Sequence, residues 1–195
     1  DNYNVSEGTH NYCIDNFCDP RGYNSTKVYP VTTGGTAADA VTAINAGVSM
    51  VTFSGHGSTT SWGDMSFGQS DFNQLTNDDM FPGVLSHACI TGDYSVGTCW
   101  AETWTRTPER GGLYFWGSVP SSYWDEDDIQ QRAEFESFLG DDVYWPKGYM
   151  NQGLMADKGF QHDAPEDLRK ALKAYEDKFR QGKRIRTIQL LTTYG

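Results

Sequence analysis

Short, almost uninterrupted apolar runs alternate along this chain with longer stretches in which apolar residues recur every three or four positions. "VSMVTFS" (48–54) is nearly all apolar and too short for a helix, which predicts a strand covered on both faces. "GVLSHA" (83–88) and "GGLYFWGS" (111–118) predict two more strands, and "KVYPV" (27–31) and "IRTIQLLTT" (185–193) a further pair. In "TAADAVTAINAG" (36–47), Ala40, Val41 and Ile44 fall at helical spacing, with Thr36 as the cap and Gly47 as the stop. Helical patterns also cover 98–106, 126–139, 147–158 and 165–181, and a shorter one runs over 7–19 until Asp19-Pro20 and Gly22 end it. Strands that alternate with helices predict an α/β chain, a three-layer α/β/α sandwich around a mostly parallel sheet.

Sheets of this kind bind ligands outside the carboxyl ends of their strands. Two chemically able side chains stand there. "FSGHGSTTSWGD" (53–64) places His56 between two glycines just past one strand, and "SHAC" (86–89) places Cys89 just past the next. Alone, each also fits a plain glycine turn or a buried strand-end cysteine. Together, at the tips of adjacent parallel strands, they bring an imidazole and a thiol to one edge. A cysteine attacks as thiolate, and a free pKa of about 8.5 leaves little of that form at neutral pH. A neighbouring imidazole tunes the thiol or protonates the leaving amine. The backbone amides of Gly57 and Cys89 would hold an oxyanion, one such donor being worth roughly 10²–10³ in rate. His87, two residues before Cys89, is a second candidate base, but a position still inside the sheet predicts a structural role under a helix. His10 and His162 lie in polar surroundings and are expected at the surface.

Composition narrows the partners. At 195 residues and 37% hydrophobic, the chain is sized for one domain with a real core. Asp and Glu number 26 against 15 Lys and Arg, a formal charge of -11, which argues against a nucleic-acid partner and suits a secreted protein or calcium sites. No run reaches the roughly 18 apolar residues of a membrane-spanning helix, so no membrane span is expected. Cysteines 13, 18, 89 and 99 form no zinc pattern; Cys13 and Cys18 either pair locally or remain two free thiols on one helix. Asn4-Val-Ser6 and Asn24-Ser-Thr26 match the glycosylation sequon, which matters only in a eukaryotic secretory pathway.

Several blocks together carry a family likeness. "GGTAADAVTAINAGVSMVTFSGHGSTTSWGD", "QLTNDDMFPGVLSHACITGDY", "CWAETWTR" and "GGLYFWGSVPSSYW" resemble the gingipain-type cysteine peptidases, of the clan that includes caspases, legumain and clostripain. The resemblance implies a caspase-like fold and peptide-bond cleavage through a Cys thioester. It makes Cys89 the nucleophile, His56 the catalytic imidazole, and Gly57 and Cys89 the oxyanion donors, with Gly92-Asp93-Tyr94 shaping the turn that seats the nucleophile. It also implies cleavage after Arg or Lys, protein or peptide substrates, and secretion or attachment to the cell surface. The chemistry requires no cofactor, while calcium is implied as a structural ion. A basic side chain needs a desolvated carboxylate, since an exposed pair contributes at most about 1 kcal/mol. Glu7 falls near the family's acidic pocket position. The tract "YWDEDD" offers Trp124 as a wall and Asp125, Asp127 or Asp128 as acids, unless these simply complement a helix start. Ser54 is a further pocket contributor.

Relative to that family, both ends fall inside the expected catalytic domain. Residues 1–195 are therefore expected to be a single catalytic subdomain, an incomplete or processed portion of a longer chain. The orienting acid would then lie upstream of Asp1, and another chain of the same precursor becomes an expected partner. Two other readings use the same residues: a sorting peptidase of this family, and a catalytically silent module with a structural or adhesive role in an extracellular assembly.

Overall fold

The computed structural model describes residues 3–139. Helix α1 (Tyr3–Cys13) runs on into a π-helical turn (Ile14–Cys18) and a 3₁₀ turn (Asp19–Arg21), where Pro20 and the left-handed Gly22 (φ 74°) end it. Helix α2 (Ala37–Asn45) starts in a capping box: Thr36 Oγ1 accepts the Asp39 N–H, and the Asp39 carboxylate accepts the Thr36 N–H at 2.9 Å. Gly47, at φ 87°, turns the chain into strand β1 (Met50–Ser54). A two-residue hairpin, β2 (Ser61–Trp62) and β3 (Phe67–Gly68), follows, then the single turn α3 (Gln69–Phe72). Strand β4 (Gly83–His87), helix α4 (Trp100–Arg106), strand β5 (Tyr114–Gly117) and helix α5 (Trp124–Leu139) complete the described order.

The main sheet has the order β1-β4-β5, with both pairings parallel. Alternation along the strands sorts side chains to two faces. Val51, Phe53, Val84 and Phe115 pack with Val41 and Ile44 of α2, Phe72 of α3, and Trp100 and Trp104 of α4. On the other face, Met50, Leu85, Tyr114 and Trp116 pack with Cys13 of α1 and Phe135 of α5. A sheet between two helical layers is the α/β/α sandwich expected. The first layer is strongly aromatic: Trp62 stacks on Phe53 at 4.7 Å and meets Trp100 edge-on at 5.6 Å, while its Nε1–H donates to Ser86 Oγ at 2.9 Å. Buried to 2% exposure, Trp62 fastens the hairpin to the sheet, and truncating such a residue costs about 3–5 kcal/mol.

Two elements differ from the sequence expectation. "KVYPV" is not a strand. Pro30 has no N–H for a ladder, and the Tyr29 carbonyl closes a turn by accepting from Thr33 N–H at 3.1 Å and Gly35 N–H at 3.0 Å. The segment 48–54 is not covered on both faces either. β1 is an edge of the described sheet and only Phe53 is fully buried, whereas all five residues of β4 are. The helices expected at 147–158 and 165–181 and the strand at 185–193 lie outside the described residues.

Candidate active site

The register sets the site. β1 and β4 are neighbours with Ser54 paired to His87, and Gly55 N–H donates to His87 O at 3.2 Å, so the ladder runs one residue further. His56 and Cys89 therefore each stand two residues beyond a paired position, on adjacent strand tips. The His56 ring is exposed and meets the edge of Trp124 at 5.5 Å. Its backbone is pinned from both sides by the hairpin: His56 N–H donates to Asp64 Oδ2, and His56 O accepts from Gly63 N–H at 2.7 Å.

Neither flanking glycine has a positive φ, so their role is space. A Cβ on Gly57 would run into the Cys89 carbonyl oxygen and lie 2.9 Å from Ala88 Cβ. A Cβ on Gly55 would overlap the Asp64 carboxylate and lie 2.8 Å from the Phe53 ring. The imidazole loop is thus pressed directly against the cysteine loop, with no side chain between them. Among the described residues, no protein oxygen accepts from the Gly57 or Cys89 amide, as an oxyanion hole requires.

The cysteine loop stores strain. Ile90 sits in the left-handed region at φ 47°, which costs a β-branched residue on the order of 1–3 kcal/mol and persists only when neighbours enforce it. The enforcement comes from the connection between β5 and α5: Ile90 N–H donates to Pro120 O at 3.0 Å and Gly92 N–H to Ser118 O at 2.9 Å. A Cβ on Gly92 would lie 3.0 Å from Gly117 O, a tight approach to backbone that favours glycine there. Asp93 closes the turn, its Oδ1 accepting from Ser95 N–H at 3.0 Å and Ser95 Oγ at 2.6 Å, which holds that carboxyl below its usual range. Cys89 itself is half-buried. Its Sγ lies 3.4 Å from both the carbonyl oxygen and the amide nitrogen of Ser122.

The proposed pocket acids have different fates. Glu7 is buried to 8% exposure on α1; Oε2 accepts from Thr32 Oγ1 at 2.7 Å, while Oε1 has no hydrogen-bond partner among the described residues. His10 meets Gln131 and Tyr12 lies under Arg132, so α1 and α5 run in the same direction. Glu7, one turn before His10, therefore lies toward the end of the layer that carries Trp124. Asp125 is exposed. Asp127 accepts from Ser122 Oγ at 2.7 Å, and Asp128 is paired with Arg132 at 3.1 Å. Ser54 ends β1, half-buried.

His87 is inside the sheet as expected, 2% exposed, with Nε2 at 3.3 Å from Glu134 Oε2. His10 is not the surface residue its polar neighbours suggested. Its Nδ1 lies 2.7 Å from Gln131 Nε2, its ring stacks on Tyr29, and burial, with His87 nearby, pushes its pKa down to about 3. His162 lies outside the described residues. Cys13 and Cys18 are buried free thiols, and burial pushes Cys13 up to about 12. Among the described residues no three His, Cys, Asp or Glu side chains gather as a metal site. Sequence reasoning missed Ser122, whose peptide groups touch the sulfur and leave no residue-type signature, and Asp64, whose carboxylate accepts the His56 backbone N–H from eight residues away.

Comparison with known proteins bears on the family and the fold. The profile described as Peptidase family C25 matches residues 3–178. Lys-gingipain W83 of Porphyromonas gingivalis is 39% identical over 85 residues, 43% of this chain and 5% of that protein. Gingipain R2 of the same species is 38% identical over 79 residues, 40% of this chain and 11% of that protein. The crystal structure of the Arg-specific cysteine proteinase gingipain R (RgpB) superposes with a TM-score of 0.63 and 29% identity, over 67% of this chain and 31% of that one. A complex of RgpB pro- and mature domains gives 0.61 and 28%, over 66% and 31%. The match thus spans a small part of the curated relatives and under a third of each solved chain.

Proposed function

Because the chain belongs to peptidase family C25 and has its caspase-like fold, we propose that it is a cysteine endopeptidase with Cys89 as nucleophile and His56 as general acid and base. The Cys89 thiolate attacks the scissile carbonyl carbon, and the new oxyanion takes hydrogen bonds from the Gly57 and Cys89 amides. His56 protonates the leaving amine as the C–N bond breaks, which leaves a thioester. Water, deprotonated by His56, then attacks the thioester carbonyl and releases the acid and the thiol. The observation that carries this reading is the Ser54–His87 register, which puts the two reactive groups at equivalent positions on adjacent strands.

Preference for Arg or Lys rests on Glu7. A buried carboxylate with one oxygen fixed by Thr32 and the other without a partner suits a guanidinium or ammonium, with Trp124 as the pocket wall. Substrates are proteins or peptides. The gingipain likeness supports action outside the cell or at its surface, and the pro- and mature-domain complex of RgpB supports a partner segment from the same precursor. The full-length protein is expected to cleave a fluorogenic Arg or Lys peptide, and Cys89→Ala to abolish cleavage. Glu7→Gln should weaken the basic preference more than Asp127→Asn does; the reverse order would move the pocket to the acidic tract. No turnover after any residue would favour a silent extracellular module.

A further inference from the structure

The connection from β5 to α5 touches the reactive groups in sequence. Ser118 O and Pro120 O take the amides of Gly92 and Ile90, Ser122 meets the Cys89 sulfur, and Trp124 meets the His56 ring. Ser118, Pro120 and Ser122 of one connecting strap thus each hold a part of the cysteine loop. The strap's far end needs an anchor, because the last of these carbonyls, Pro120 O, lies two residues before Ser122. Asp127 supplies two anchors, its N–H donating to Tyr123 O at 3.0 Å and its carboxylate accepting from Ser122 Oγ at 2.7 Å. We propose that Asp127 is a positioning residue that locks Ser122 as a clamp on Cys89, fixing the sulfur for attack through both peptide groups of Ser122.

The clamp has a definite geometry. Ser122 O accepts the Cys89 S–H at 3.4 Å while Ser122 N–H donates to the same sulfur at 3.4 Å, and Ser122 Oγ stands 3.9 Å away. The hydroxyl has one proton, which it gives to Asp127, so the carboxylate and not the sulfur sets its direction. Asp127 is half-buried and faced by His87 from β4 and by Glu126 and Glu134 from its own helix. Burial raises its pKa, while Ser122 and His87 act in the opposite sense. Its carboxylate is turned to the strap, a different use from the substrate contact expected of the "DEDD" tract. The inference rests on the reading of Cys89 as the nucleophile.

The test uses full-length Asp127→Ala, Ser122→Ala, the double variant and Asp127→Asn, with a fluorogenic Arg peptide and with iodoacetamide labelling mapped by mass. Each single variant should lower kcat about tenfold with little change in KM, and the double variant should fall no further, because both changes release one clamp. Labelling of Cys89 should accelerate as the strap lifts, while the buried thiols of Cys13, Cys18 and Cys99 stay unlabelled. Asp127→Asn, which keeps the acceptor, should restore both readouts. Wild-type kcat and labelling in the Ala variants, additive losses, or labelling of the buried thiols alongside Cys89 would overturn the clamp. If the wild type cleaves no peptide, the labelling arm alone decides the clamp, and the peptidase reading falls separately.

Discussion

A Cβ at residue 57 would enter the space of the Cys89 carbonyl, and that contact explains why glycine stands beside His56. Gly57→Ala is expected to cost about 1–3 kcal/mol of stability, the range for overpacking. It should also lower peptide turnover by at least about 10², because the shifted amide no longer meets the oxyanion. Urea midpoints and kcat measured together check both, and wild-type turnover in this variant would contradict the assignment of the amide. The placement of His56 and Cys89 on neighbouring strand tips was legible in the sequence, because each follows a short apolar run that forms a strand. Ser122 was not: its peptide groups touch the sulfur, and any residue type carries those groups. Ile90 was equally hidden, since nothing in the letter "I" announces a left-handed backbone.

Among the elements, α2, β4 and α4 lie close to where periodicity and caps put them, because buried Val41 and Ile44, Val84 and Leu85, and Trp100 and Trp104 recur at the spacing of each element. Helix α5 is different. Gln131 and Glu134 are buried on it beside Phe135 and Asp127 is half-buried, so the inner face is mixed and apolar patterning shows only part of the side that packs. That face meets Thr52 and His87 of the sheet and His10 of α1. The two-residue strands β2 and β3 fall below any periodic signal. Burial of His10 between these elements has a thermodynamic consequence. Its folded pKa of about 3 lies below the unfolded value of 6.5, so the unfolded chain takes up a proton that the folded chain refuses. Stability is therefore full above about pH 6.5 and is lost as pH falls toward about 3. After allowance for the ring's partial exposure, the loss between about pH 7 and 4.5 is on the order of 1–2 kcal/mol. His10→Asn keeps an acceptor for Gln131 without the titration, so urea midpoints at both pH values should show a smaller loss; an equal loss would contradict the linkage.

At the scale of the whole molecule, the two helical layers differ in chemistry, one densely aromatic and the other mixed apolar and polar. The aromatic layer of Trp62, Trp100, Trp104 and Phe67 holds the hairpin that pins His56. The layer of α1 and α5 carries Glu7, which accepts from Thr32, Trp124, which meets the His56 ring, and Asp127, which holds Ser122. The sandwich was legible because alternating buried strands and helices allow few other arrangements. Which acid serves which purpose was not, since composition counts carboxylates without showing that Asp128 is spent on Arg132 or that Asp127 holds Ser122. The central claim is that Cys89 attacks substrate with help from His56. An Arg-peptidyl chloromethyl ketone, incubated with the full-length protein and mapped by mass, tests it directly. The expected result is one inhibitor equivalent on Cys89, with labelling slowed about 10²-fold in His56→Ala. Peptide cleavage that persists with Cys89 unmodified, or with the label on another residue, would contradict it.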